Sequence, residues 1–162
     1  MPLNLVLSIG LDSSLLETRN MVLHSAGYIV ESASSVKEAV HRFLAGDFDL
    51  VILCHTISTR ERDRLACLIR ASGSHTPIIS ITVKPGQCDL FANATIENTP
   101  NKLLPGISEV LIKEAKKWTA LSRGKQEVTD PSRKKSPILG GDFERQKEKF
   151  AVIISTTLAQ AG

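Results

Sequence analysis

Aromatic side chains are scarce in this 162-residue chain: one Trp, one Tyr and five Phe, 4% of the residues. A surface that stacks the bases of single-stranded nucleic acid needs several such rings along a basic groove. No aromatic group accompanies the basic residues here, so a nucleic-acid partner is not expected. Cysteine is sparse too. Cys54, Cys67 and Cys88 are an odd number at wide spacing, which argues against a disulfide framework and for a reducing cytosol. No apolar run approaches the ~18–20 residues of a membrane span. Met1 to Gly10 has no basic n-region and no small-residue cleavage site, so a secretory signal is not expected and a cytoplasmic location is. His24, His41, His55 and His75 are scattered, with no H-x-x-x-H pair, and Cys67 and Cys88 lack partners at zinc-ligand spacing. There is no G-x-S-x-G elbow and no phosphate-binding glycine loop. No cofactor, no metal and no catalytic residue is expected from these patterns.

What is present is an ordinary globular composition, 42% hydrophobic and 23% charged, long enough for one domain with its own core. The formal net charge of +3 is unevenly spread. Residues 1–112 carry nine Lys/Arg and eleven Asp/Glu, a net of −2, and residues 113–162 carry eleven and six, a net of +5. The basic stretch reads as a solvated segment, with contact to nucleic acid or to an acidic partner as the alternative.

Strands alternate with helices. Val6-Leu7-Ser8-Ile9, ended by Gly10, reads as a first strand. Asp12, Ser13 or Ser14 can cap a helix carrying Leu15, Leu16, Val22, Leu23 and Ala26, and Gly27 stops it. Tyr28 to Glu31 reads as a second strand. Ser35 and Glu38 form a capping box before Val36, Ala39, Val40, Phe43 and Leu44. Leu50-Val51-Ile52-Leu53 is apolar throughout, as in a strand buried on both faces. Leu65, Leu68 and Ile69 mark a third helix, preceded by Arg60, Arg62 and Arg64 alternating with Glu61 and Asp63. That charged run reads as a solvated loop and helix start. Pro77 to Thr82 reads as a fourth strand. Pro85-Gly86 marks a loop, Asp89 to Asn93 holds at most a short helix, and Ala94 to Glu97 is a poor strand. Pro105 opens a clearer helix with Ile107, Val110, Leu111 and Trp118 on one face. The count is five strands and about five helices, which implies right-handed crossovers and a parallel sheet covered on both faces.

Beyond Leu121 the composition changes. Residues 122–141 contain Pro131, Pro137, three glycines and Arg133-Lys134-Lys135, the make-up of a flexible basic linker. Residues 142–162 read as a tail with a possible amphipathic helix through Phe143, Phe150, Ala151, Ile154 and Leu158. The expected domain is therefore residues 1–121.

The stretch GYIVESASSVKEAVHRFLAGDFDLVILCHTIS, residues 27–58, resembles the receiver domains of response regulators, and TPIISIT, residues 76–82, resembles their fourth strand. The resemblance implies an α/β, flavodoxin-like, doubly wound five-stranded parallel sheet, order 2-1-3-4-5, with helices on both faces. The site then lies at the carboxyl ends of the strands. It also implies a set of chemical positions that this chain fills differently. Cys54 stands at the phospho-acceptor position. Gly10 and Leu11 stand at the acidic pair that holds Mg²⁺, with Asp12 one residue further on and read as an N-cap. Thr99 stands at the Lys position, with Lys102 beyond Pro100. Thr82 retains the switch hydroxyl.

A thiol is a soft ligand, whereas Mg²⁺ takes hard oxygens, and phosphoryl transfer depends on that charge neutralisation. The resemblance thus implies an atypical, phosphorylation-independent receiver-like module, not an enzyme. It would act in bacterial signal transduction by binding a signalling protein or a second copy through the last receiver helix, near Ile107 to Trp118. Two alternatives stay open. One is a thiol switch centred on Cys54, against its reading as a small buried hydrophobe; His55 is adjacent, but successive strand residues point to opposite faces. The other is a nucleic-acid-associated regulator using the basic tail.

Overall fold

The computed structural model of the protein describes residues 4–124. Five parallel strands, β1 (Leu5–Ile9), β2 (Ile29–Ala33), β3 (Leu50–Leu53), β4 (Ile78–Thr82) and β5 (Ala94–Glu97), lie in the order β2-β1-β3-β4-β5. The helices are α1 (Ser13–Ser25), α2 (Val36–Ala45), α3 (Thr59–Ala71) and α4 (Pro100–Gly124). This is the doubly wound order expected, with Val6 paired to Val30 and Leu50, and Val51 to Ile78. The readings of residues 125–162 as linker and tail lie outside the described residues; α4 itself continues to Gly124.

Strand alternation divides the core. Val6, Leu50, Ile52, Ile79, Ile81 and Ile96 pack with Leu23 of α1 and with Leu103, Ile107 and Val110 of α4. Every residue of β3 and of β4 is buried, as an apolar run between two helical layers requires. Among the cap candidates, Asp12 is the one used: its Oδ1 accepts the Leu15 N–H at 3.1 Å. The reciprocal capping box is found at Ser58 and Glu61, not at Ser35 and Glu38. Ser35 does accept the Glu38 N–H, but the Glu38 carboxylate is drawn to the N–H and hydroxyl of Ser34 and to Arg42. The Ser34 N–H and hydroxyl, with the Arg42 fork, hold the Glu38 carboxyl below its ordinary value.

Three expectations need correction. Four helices are present among the described residues, not about five. Residues 83–93, between β4 and β5, form turns around Gly86, whose φ of 76° is a conformation glycine adopts without strain. The last helix begins at Pro100, five residues before Pro105, which sits inside it. The Thr99 carbonyl accepts the first helical N–H groups, from Lys102 and Leu103, so Pro100 takes the first helical position, where a missing N–H costs nothing. Trp118 keeps 58% of its surface exposed, while Ile107 and Val110 are buried. At 1.5 Å rise per residue, Trp118 lies about 16 Å along α4 from Ile107, level with the starts of the strands, near Asn4, Asp49 and Pro77.

Gly106 of α4 packs tightly against Ile96 of β5. A Cβ there would lie 2.9 Å from Ile96 Cγ1 and closer still to Cδ1. Gly106→Ala is expected to lower the melting temperature. Overpacking against a buried side chain costs ~1–3 kcal/mol, more than the ~1 kcal/mol gained in helix propensity. An unchanged or higher midpoint in thermal unfolding would show that Ile96 moves aside freely.

Candidate functional site

Parallel strands all finish at one edge, and the sequence-selected residues meet there. The Cys54 N–H donates to the Ile9 carbonyl at 2.8 Å, which sets the end of β3 beside Gly10 at the end of β1. The two backbones are so close that a Cβ on Gly10 would sit 2.9 Å from Cys54 Cβ and 3.2 Å from Thr56 Oγ1. Leu11 is half-exposed, and its N–H donates to Thr56 Oγ1 at 3.0 Å. Thr82 is buried; its hydroxyl is taken up by Gln87 Oε1, the Lys84 carbonyl and the Lys84 N–H, all within the turn that follows β4. Thr99 is exposed at the start of α4, and Lys102 is paired with Glu97. Gly10, Leu11 and Cys54 are thus brought together, whereas Thr82, Thr99 and Lys102 are bound into their own local turns.

Cys54 is fully buried but has polar neighbours. Arg19 of α1, 5% exposed, donates from Nη2 to Cys54 Sγ at 3.3 Å. His55 Nδ1 lies 3.7 Å from the same sulfur. The alternation that would have sent His55 to the opposite face stops with β3 at Leu53; a turn closed by the Ile57 N–H on the Cys54 carbonyl swings the imidazole back. Burial alone would push the Cys54 thiol up. Hydrogen bonds from the Thr56 hydroxyl and N–H, with the charge and hydrogen bond of Arg19, outweigh it and hold the thiol below its ordinary value. Burial, and after it the charges of Arg19 and Arg62, push the His55 imidazole below its ordinary value against a smaller pull from Asp12.

Sequence reasoning missed two arginines. Arg19 was not singled out, and Arg62 was assigned to a solvated run. Arg62 is buried instead: its guanidinium reaches the Ser80 hydroxyl at 3.0 Å, the Ile81 carbonyl at 3.2 Å and Asp89 at 3.1 Å. Asp89 also accepts from Ser80, and its N–H donates to Thr95 Oγ1. This network ties the helix-free segment after β4 to α3, β4 and β5. The signal was there to read: Leu16, Arg19 and Leu23, like Arg62, Leu65 and Ile69, repeat at i, i+3, i+7, the spacing of a buried helical stripe.

The edge offers little to a cation. Asp12 is engaged as the α1 cap and Asp89 by Arg62. Among the described residues no three His, Cys, Asp or Glu side chains converge on a metal position, and no helix is long and apolar enough to cross a membrane.

No family model and no curated protein matches the chain. Solved structures do. The chemotaxis response regulator CheY4 of Vibrio cholerae is 21% identical with a TM-score of 0.61, the match covering 67% of this chain and 98% of that one. A CheY-like receiver domain protein from Methanospirillum hungatei is 22% identical, TM-score 0.59, over 71% and 98%. The response regulator TrrA of Thermotoga maritima, in complex with Mg²⁺-BeF, is 24% identical, TM-score 0.60, over 67% and 99%. The same regulator also matches in its complex with the histidine kinase ThkA. At these identities the likeness establishes the fold: the described residues have the fold of CheY-like receiver domains.

Proposed function

We propose that this chain is a receiver-like interaction module that works without a phosphoaspartate cycle, transmitting a signal in a two-component pathway by binding another protein. The observation that carries the reading is the packing at Gly10. At Gly10, the first of the two positions where the resemblance places an acidic pair, Cys54 and Thr56 leave no room for a side chain. Where it places the acceptor carboxylate, Cys54 is enclosed against a cation, Arg19. Magnesium takes hard oxygen ligands in near-octahedral array. Gly10, Leu11 and Cys54 supply none from their side chains, and a buried guanidinium beside the sulfur repels a second cation. These residues do not fit the Mg²⁺ that TrrA holds.

The likeness to a regulator crystallised with a histidine kinase supports a protein partner. So does α4, which leaves Ile112 and Trp118 each more than half exposed. A nucleic-acid role for the tail rests on residues outside the described part. The reading is tested by incubating the full chain with acetyl phosphate and Mg²⁺ and measuring its intact mass. The expected mass is unchanged, while a receiver with an intact acidic site, treated in parallel, gains one phosphoryl group. A phosphoryl group on this chain would overturn the reading.

A further inference from the structure

Arg19 carries a charge with no carboxylate to meet it. A guanidinium does not lose its proton in proteins, and an unpaired buried cation is costly. Arg62 answers this with Asp89. Among the described residues no Asp or Glu is within ion-pair distance of Arg19, and the polar atom its fork touches is Cys54 Sγ. The other terminal nitrogen, Nη1, is buried without a hydrogen-bond partner. So one nitrogen of the fork holds the sulfur, and its twin stands beside it with a free donor.

We propose that Cys54, with the Arg19 guanidinium 3.3 Å from its sulfur, is a site of oxidation by hydrogen peroxide, with Arg19 Nη1 receiving the oxygen added to the sulfur. The thiolate attacks one peroxide oxygen. The S–O bond forms as the O–O bond breaks, and the sulfur is oxidised by two electrons to a sulfenic acid. The hydroxide that leaves takes a proton from solvent and departs as water. Thr56, donating to the sulfur through its hydroxyl and N–H, stabilises the anion before the reaction. The same residues set the selectivity. Cys54 is fully enclosed, so a reagent reaches it through local opening of the fold, and a molecule little larger than water needs a smaller opening than a bulky one. Cys67 and Cys88 are exposed and have the opposite preference. This assignment is independent of whether the protein binds a signalling partner.

The test uses the full chain with Cys67→Ser and Cys88→Ser, leaving Cys54 as the sole thiol. Samples are pulsed with hydrogen peroxide, quenched into denaturant containing dimedone, and read by intact mass. Cys54 is expected to form the adduct severalfold faster than free cysteine at pH 7, as a thiol with a neighbouring cation would. A bulky aromatic disulfide should leave it unmodified until the protein is unfolded. Arg19→Met should slow oxidation about tenfold or more, since an adjacent cation lowers an acidic pKa by ~1–3 units. Should that variant not fold, the pH profile of the parent decides. With Arg19 and His55 beside the sulfur, the rate climbs less steeply between about pH 7 and 8 than that of an ordinary thiol, which rises severalfold. Oxidation no faster than free cysteine, or a rate that climbs with pH like an ordinary thiol, overturns the proposal.

Discussion

Gly10→Asp is expected to destabilise the protein by about 3 kcal/mol or more, a large part of the ~5–15 kcal/mol that holds a typical domain. Two costs combine. The new Cβ would fall 2.9 Å from Cys54 Cβ, with Leu16 Cδ2 and Thr56 Oγ1 closing the other sides, and overpacking of this kind costs ~1–3 kcal/mol. The carboxylate beyond it then needs a partner in a buried position, and Arg19, the cation beside Cys54, already bonds the sulfur. Gly10→Ala separates the two costs, because it adds the Cβ without the charge and should lose only the steric part. Denaturant unfolding of both variants measures this. A Gly10→Asp protein as stable as the parent would mean that β1 and β3 separate easily, and the argument against a cation site at this edge would fail with it.

The second large effect is expected at Asp89. Asp89→Ala leaves Arg62 charged and buried with only hydroxyl and carbonyl partners, and removing one member of a buried pair costs ~3–5 kcal/mol. The loss should be local as well as global. Asp89 links the segment between β4 and β5 to α3 through Arg62, to β4 through Ser80 and to β5 through Thr95. Amide exchange in residues 83–93 should therefore rise most. Combining Asp89→Ala with Arg62→Met should restore much of the stability, since an apolar replacement of both partners removes the unpaired charge. If Asp89→Ala alone leaves urea unfolding and exchange unchanged, the pair does not hold this segment.

The same two arginines show where reading the chain stopped. A buried strand announces itself through composition, as Leu50 to Leu53 does, and helix starts and stops announce themselves through Asp12 and Gly27. Each is a local preference, enforced by the residue's own backbone or its nearest neighbours. The order of the strands was legible in a different way, through the resemblance carried by residues 27–58 and 76–82, and the structure has that order. Spacing puts Arg62, and not Arg60 or Arg64, in line with Leu65 and Ile69, but it does not name the partner that lets the charge be buried, an aspartate 27 positions later in a segment with no regular structure.

By itself the sequence determined the alternation of strands and helices, the parallel sheet and the lack of acidic side chains at positions 10, 11 and 54, because these follow from periodicity, punctuation and residue type. Tertiary structure alone decided that Gly10 is packed against Cys54, that α1 delivers Arg19 to its sulfur, and that His55 turns back toward it. The physical reason is the parallel sheet itself. It gathers strand ends that are far apart in the chain at one edge, where burial and unlike charges act between residues such as Arg19 and Cys54, and neither carries that pairing in its own surroundings in sequence.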